Sequence, residues 1–483
     1  MIPFGEYSPD SSPFNGKVLP YMRNAQPVAD GWAPFPSFEP FSEALPEKPC
    51  GSFLARREDG GYVVYAGGLA GLYRLDPATR DWVSVGSGYT LSDGMTWSFA
   101  QWGQTVVAGN QSTNIQQIDL ASYGAATELT ARKARSLFVV GANLFAGGLV
   151  DLPDGVQWSA DEDITSWPIA SGGGDFQEFP DGGWVLQGFS GQQGAYILQK
   201  DAIRTVNWNP GGAYNFTFSK VAEIGIVGPN AGVTVGQITY FLAQDGFYAV
   251  SYTAEKGLLL QPIGAEKVNR SFFKEVDLDA LDEVQCVADP INKIVSWVYR
   301  TTGYTGERFN VVLGYDWQLG RWFRLERELV WLANLATPGN TLESLDEISS
   351  SLDDLAISLD SPVWTGGKPV LAAFDNDYRM CFAQGTNMDA LFRTNKLQLN
   401  KTGRSLVTSV TPLTDAENVS MRLGVSGNSH EQAVWKGPFT RQPSGRIPTR
   451  ANGKFHQFEA TITGDWSIMT GLDDIQAKAA GAR

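Results

Sequence analysis

"GVQWSADEDITSWP", residues 155–168, runs from an apolar pair of strand character into Ser159, Asp161, Asp163, Thr165 and Trp167. Small oxygen-bearing side chains at this density compete for nearby backbone N–H groups, which favours a tight turn over a helix or a long strand. The same acids could also belong to a catalytic pair. The surrounding sequence decides between a turn and a site.

Outward from this stretch, a loose unit recurs: a run of β-branched and aromatic residues, a Gly, Asn or Asp turn, and a second short strand. Units begin with "YVVYAGG" (Tyr62), "TVVAGN" (Thr105), "SLFVVGANLFAGG" (Ser136), "WVLQGF" (Trp184), "ITYFLAQDGFYAV" (Ile238), "KIVSWVY" (Lys293) and "PVLAAFDNDYRMCF" (Pro369). Their spacing is 31 to 76 residues, and the widest gap falls to 55 when an atypical 21-residue stretch, 341–361, is set aside. Composition agrees, with 12% aromatic residues, 53 Gly and 25 Pro but only 18% charged residues. The expectation is all-β: an irregular six- or seven-bladed β-propeller over 50–391, with an appended β-sandwich or barrel-like module and an extended N-terminal arm.

Within such a blade, the opening stretch is close to the Asp-box turn of sialidase-type propellers, Ser-x-Asp-x-Gly-x-Thr-Trp. Asp163 replaces the Gly, and Ser166 is inserted before Trp167. Even a perfect copy is structural, because Asp and Ser cap the turn while Trp packs between blades. A glycosidase would also need a carboxylate pair flanking the scissile bond, and no acid stands out for that role. The two histidines, His430 and His456, both follow residue 392, so a His-based triad or multi-histidine metal site in the propeller is ruled out. Gly-x-Ser-x-Gly, Walker A and Cys-x-x-Cys patterns are absent. "ADPINKIVSWVY" (288–299) and "NVVLGYDWQLGRWFRLE" (310–326) read as hairpin turns with core tryptophans. The expectation is no enzyme, no cofactor and no metal.

The flanks read differently. Residues 1–49 are rich in Pro and aromatics without sustained periodicity, which suggests an arm lying on another surface rather than a floppy terminus. The start has no signal-peptide pattern, and "SLFVVGANLFAGGLV" (136–150) is too short and glycine-broken to span a bilayer. Cys50, Cys286 and Cys381 are far apart and odd in number, as expected of buried thiols in a reducing compartment. The stretch 341–361 has Leu and Ile at helical spacing and six acids without a basic residue. It reads either as an acidic insertion facing a channel, through Glu343, Asp346, Glu347, Asp353 and Asp354, or as a solvated surface helix. Residues 392–472 alternate like strands, and between Arg393 and Lys454 ten basic residues face three acids. Arg404, Arg446, Arg450 and Lys454 are candidates for docking an acidic neighbour, with DNA contact or plain solvation as alternatives. Residues 473–483 read as a loose tail. The formal charge of −15 argues against tight nucleic-acid binding, while an acidic wall would let DNA slide past.

The series "WSADEDITSW", "EIGIVGPNAGVTVGQITYFLAQDGFYAVS", "ADPINKIVSWVY", "NVVLGYDWQLGRWFRLE", "LESLDEISSSLDDLAISLDSPVW" and "RIPTRANGKFHQFEATITGDW" resembles, in order, propeller-bearing tail-hub or nozzle proteins of short-tailed bacteriophages, also called packaged-DNA stabilisation proteins. The resemblance covers about residues 155–470 and lies in segment order rather than in a diagnostic motif. It implies a virion structural subunit made in the host bacterial cytoplasm. Such subunits form a ring, usually of six copies, below the portal and adaptor, enclosing the DNA exit channel without reading sequence or inserting into a membrane. The alternative is a propeller glycosidase, or a sugar-binding tail protein, acting on host surface polysaccharide. A sugar-binding propeller would need equivalent aromatic pockets repeated blade by blade, and the repeats are too divergent to favour it.

Overall fold

The fold is taken from a computed structural model, which describes residues 1–92, 94–190, 194–209, 211–212, 214–253, 257–336, 369–401 and 403–480. The acidic stretch 341–361, with Glu343, Asp346, Glu347, Asp353 and Asp354, lies outside the described residues. No described helix is long and apolar enough to cross a membrane.

Seven four-stranded antiparallel sheets resembling propeller blades follow one another among the described residues. Six are built from consecutive strands within 51–87, 98–130, 134–178, 185–222, 232–262 and 285–329. The seventh takes Trp331–Leu335, Val370–Phe374 and Arg379–Asn387, then adds Pro36–Ala44 from the other end of the chain as its outer strand. The first strands of successive sheets neighbour one another, and that of the seventh neighbours that of the first, so the succession closes on itself.

Each of the seven sequence units falls on a different sheet. Their uneven spacing has a simple cause: "SLFVVGANLFAGG" and "WVLQGF" begin on or one residue before the first strands of the third and fourth sheets, whereas the other five begin on or one residue before second strands. Near the centre the first strands present edges whose backbone groups need partners. Short polar side chains supply them. Ser98 Oγ accepts from the Leu137 N–H (2.9 Å), Ser136 Oγ from Gly188 (2.9 Å) and Gln285 Oε1 from Leu332 (3.0 Å), while Gln187 Nε2 donates to the Gly232 carbonyl (3.1 Å). Between these polar stitches and the outer strands the sheets pack apolar faces, with the densest aromatic cluster at Phe247, Phe272, Trp297 and Trp322.

A β-sandwich stands against the sixth sheet. One layer orders Ala25–Val28, Gly31–Pro34, Met469–Ala479, Ser405–Thr414 and Ile447–Gly453, with Ile2–Pro3 also paired to Met469–Ala479. The other orders Tyr21–Arg23, Ala390–Arg393, Phe455–Thr463, Asn418–Ser426 and Val434–Thr440. Residues 1–49 are therefore not an arm reaching for another surface. They supply four strands to the sandwich and one to the seventh sheet, and Trp32, Phe35, Phe38 and Phe41 are buried within the chain itself. The prolines fit because Pro27, Pro36 and Pro40 sit on edge strands, where a missing N–H breaks no ladder. The expected loose tail is also corrected, since the strand Met469–Ala479 continues to residue 479 with Ala479 opposite Ser405. One hydrophobic core runs from the fifth and sixth sheets into the sandwich. A polar seam reinforces it: the Asn24 N–H donates to the Arg324 carbonyl (2.8 Å), Glu326 N–H to Asn24 Oδ1 (2.9 Å) and Tyr21 Oη to Glu326 (2.7 Å).

Candidate functional site

The opening stretch is a turn. Asp163 Oδ1 accepts from the Thr165 N–H (2.9 Å) and hydroxyl (2.6 Å), and the latter bond holds its carboxyl below the usual range. Ser159 Oγ accepts from Leu144 N–H (3.0 Å), and Trp167 donates to the Ile164 carbonyl (2.8 Å) while packing in the core between the second and third sheets. Asp161 is held by the amides of Asn143 (2.9 Å) and Asn215 (3.0 Å) at the margin of an outer hollow of about 960 Å³ between the third and fourth sheets. These acids are engaged in holding backbone and neighbouring strands.

The four candidate docking residues come together along one sandwich edge. Arg446, Arg450 and Lys454 are exposed on or beside the edge strand Ile447–Gly453, and Arg404 precedes Ser405, which pairs with Gly453. Arg446 is already bound to Asp474 (2.8 Å), and Arg404 Nη2 reaches the Asn452 carbonyl at 3.5 Å.

A different set of residues meets at the centre of the seven sheets. A cup of about 380 Å³ is lined by Thr96, Gln111, Arg135, Trp184, Lys200 and Asp282, with Gln244 at its margin. Thr96 lies two residues before the second sheet, Arg135 is the second residue of the third sheet's first strand, and Trp184 directly precedes the fourth sheet. Gln111, Lys200 and Gln244 come from turns between second and third strands, so all of these open to one face. Asp282 arrives on the short helix Leu278–Glu283, and Gly228 allows the approach, since a methyl group there would lie 2.1 Å from the Asp282 carbonyl oxygen.

Thr96, in the wall of the cup, is also one end of a hydrogen bond that crosses the circle. Asn230, entering the fifth sheet, donates through Nδ2 to Thr96 Oγ1 (2.9 Å), entering the second, and these sheets are not adjacent in the circle. Beyond this bar lies a second hollow of about 580 Å³, walled by uncharged groups including Ser52, Gln187, Thr234, Gln285 and Asn334.

The walls of the cup have a distinct chemistry. Trp184 is 56% exposed, unusual for so large an apolar ring, and its carbonyl accepts from the Lys200 N–H (3.0 Å). The Arg135 guanidinium lies over the indole at 5.4 Å, with Nη2 donating to Gln111 Oε1 (3.0 Å). Burial pulls the Arg135 pKa below its ordinary value, and the charge of Asp282 opposes that shift. Among the described residues no carboxylate comes within 4.0 Å of Arg135 or Lys200. Also among the described residues, no cluster of His, Cys, Asp and Glu is arranged to hold a metal ion. The cup can therefore offer a flat apolar face, amide and hydroxyl groups, and cationic N–H donors. Sequence reasoning missed it because its members span 94–282 with no shared motif. The available signal was their register, either just before or at the start of a first strand or in the turn between second and third strands.

No protein-family model matches the chain, and no curated protein does. Among solved structures, the chain is similar to the extracellular domain of a hybrid two-component system of B. thetaiotaomicron, at 11% identity and a TM-score of 0.41. That match covers 83% of this chain and 47% of the other, so the chain spans about half of that structure's length. It is also similar to the β-propeller domain of Cps50 (Swd1) from Myceliophteria thermophila (10% identity, TM-score 0.40, 72% and 99% covered) and to BamB from Moraxella catarrhalis (12%, 0.36, 75% and 94%). These likenesses are loose and concern the fold alone.

Proposed function

We propose that the chain is a sugar-binding tail protein of a bacteriophage: a closed seven-bladed β-propeller, braced by a sandwich built from both chain ends, that holds host surface polysaccharide in its axial cup without cleaving it. The observation that carries this reading is Trp184, an exposed indole flanked by Arg135, Gln111, Lys200 and Asp282 in a cavity large enough for one or two sugar units. Sugar rings present C–H faces that lie on an aromatic plane, and their hydroxyls need the donors and acceptors such a wall supplies. This reading uses an axial site in place of the blade-by-blade pockets that a sugar-binding propeller would need and that the divergent repeats do not favour. The test is calorimetric titration of the full chain with purified surface polysaccharide fragments, alongside an assay for newly formed reducing ends. Binding that disappears in Trp184→Ala, with no reducing ends released, supports the reading. Release of reducing ends would make the protein a glycosidase.

The second reading is a nozzle subunit: a ring, of six copies in the family it resembles, attached to portal and adaptor proteins in the virion tail and enclosing the DNA exit channel. The basic sandwich edge at Arg404, Arg446, Arg450 and Lys454 supports it, since an edge strand, open on one side and rimmed by like charges, suits an acidic neighbour. The N-terminal segment, folded into its own chain, gives it no help. Native mass spectrometry of the protein alone and with neck proteins tests this reading, and a monomer under both conditions would refute it.

A further inference from the structure

We propose that the axial cup selects carboxylate-bearing sugars, such as uronic acids, over neutral ones, with Arg135 as the residue that takes the carboxylate. This rests on the sugar-binding reading above and specifies its ligand. The whole protein carries a formal charge of −15, yet the cup contains two cations, Arg135 and Lys200, and one acid, Asp282. A locally positive cavity on a strongly negative molecule attracts anions where the rest of the surface repels them.

The state of Arg135 gives the charge a purpose. Guanidinium is normally the group that proteins pair bidentately with carboxylates, and a partly buried one without such a partner is poorly compensated. Here one N–H is taken by the neutral amide of Gln111, and the ring of Trp184 covers a face of the ion. Among the described residues no acid closes the pair. The guanidinium's other N–H groups are the natural seat for a ligand carboxylate. Because the indole lies against the same guanidinium, a sugar on the exposed part of Trp184 has its substituents within reach of Arg135. Lys200, tied to Trp184 through its backbone, adds a second positive charge at the mouth. Asp282, Gln244 and Thr96 remain for hydroxyl groups, and the carboxylate of Asp282, whose charge also reaches Arg135, disfavours a second anionic group.

The experiment compares two probes, a trisaccharide ending in glucuronate and the same trisaccharide ending in glucose, titrated into the full chain by calorimetry. The expected result is at least tenfold tighter binding of the glucuronate form, lessened by added salt. Arg135→Gln should weaken the glucuronate form at least tenfold more than the glucose form, so that the preference is lost, and Arg135→Lys should restore part of it. A circular dichroism spectrum matching the parent shows that each variant has folded. Equal binding of the two probes by the parent, or equal weakening of both by Arg135→Gln, overturns the acid selectivity and leaves the sugar-binding reading in place. Binding of neither probe by the folded parent overturns both.

Discussion

Replacing Phe41 by Ala tests whether the N-terminal strand latches the circle of sheets. Phe41 is 4% exposed and lies in a core shared by the first and seventh sheets, with Val64 and Trp82 on one side and Met380 and Phe382 on the other. Its ring meets Phe382 edge-on at 5.2 Å, and the Arg80 guanidinium covers it at 4.4 Å. The strand Pro36–Ala44 pairs on one side only, with Arg379–Asn387, so side-chain burial carries much of its attachment. Truncating a buried Phe to Ala costs about 4 kcal/mol, which is roughly three orders of magnitude in the opening equilibrium. Hydrogen exchange followed by mass spectrometry is the assay. Amides of 36–44 and 379–387 should exchange faster by up to that factor, while those of the third and fourth sheets keep their parent rates. Phe176→Ala, at a ring 40% exposed on an outer strand, is the control and should change little. If exchange in 36–44 rises less than fivefold, or rises equally in every sheet, the strand is not a latch.

Three further outcomes follow from local geometry. Lys293 ends the Asp289 turn at φ 59°, a left-handed conformation that disfavours a side chain, so Lys293→Gly should stabilise the protein by about 0.5–1 kcal/mol in urea denaturation; a loss of stability would refute this. His456 is fully buried, and desolvation lowers its pKa, so the unfolded chain binds the proton first. Its contribution to stability is present above about pH 6.5 and is lost as pH falls below that, and His456→Gln should flatten this acid slope in pH-dependent denaturation of the sandwich. Cys50, Cys286 and Cys381 are buried, and burial raises the pKa of Cys286 and Cys381, so a thiol reagent such as DTNB should label none of the three in the native protein and all three in denaturant.

Much of the sheet architecture was readable because each sheet carries its own local signals. The turns at Asp76, Asp119, Asp289 and Asp316 share one device: an Asp side chain accepts N–H bonds from residues two and three positions on, and a left-handed residue, Arg80, Tyr123, Lys293 or Gly320, follows four positions on. Such turns lie within a short window and need no knowledge of partners. The N-terminal strands were illegible for the opposite reason. They are short, some contain proline, and their partners lie hundreds of residues away, as with Ile2 opposite Leu472. The cup was hidden because its chemistry is spread thinly, at most a few side chains from each sheet, and becomes a cluster only when the sheets form a circle.

That remote pairing also has a consequence for how the protein is made. Residues 36–44 cannot take their place until residues 379–387 exist, and the first residues wait for the strand that begins at Met469. At elongation rates of ~5–20 residues per second, the leading segment spends on the order of 20–90 s outside the ribosome with apolar rings and open strand edges unburied. The middle sheets can form in sequence as they emerge, the circle can close once residues 379–387 follow, and the sandwich finishes later still, when Met469–Ala479 arrives. A ribosome that stalls before Met469 would leave the first residues without their partner strand. The newborn chain should therefore be most vulnerable to proteases, and most dependent on chaperones, at its oldest residues.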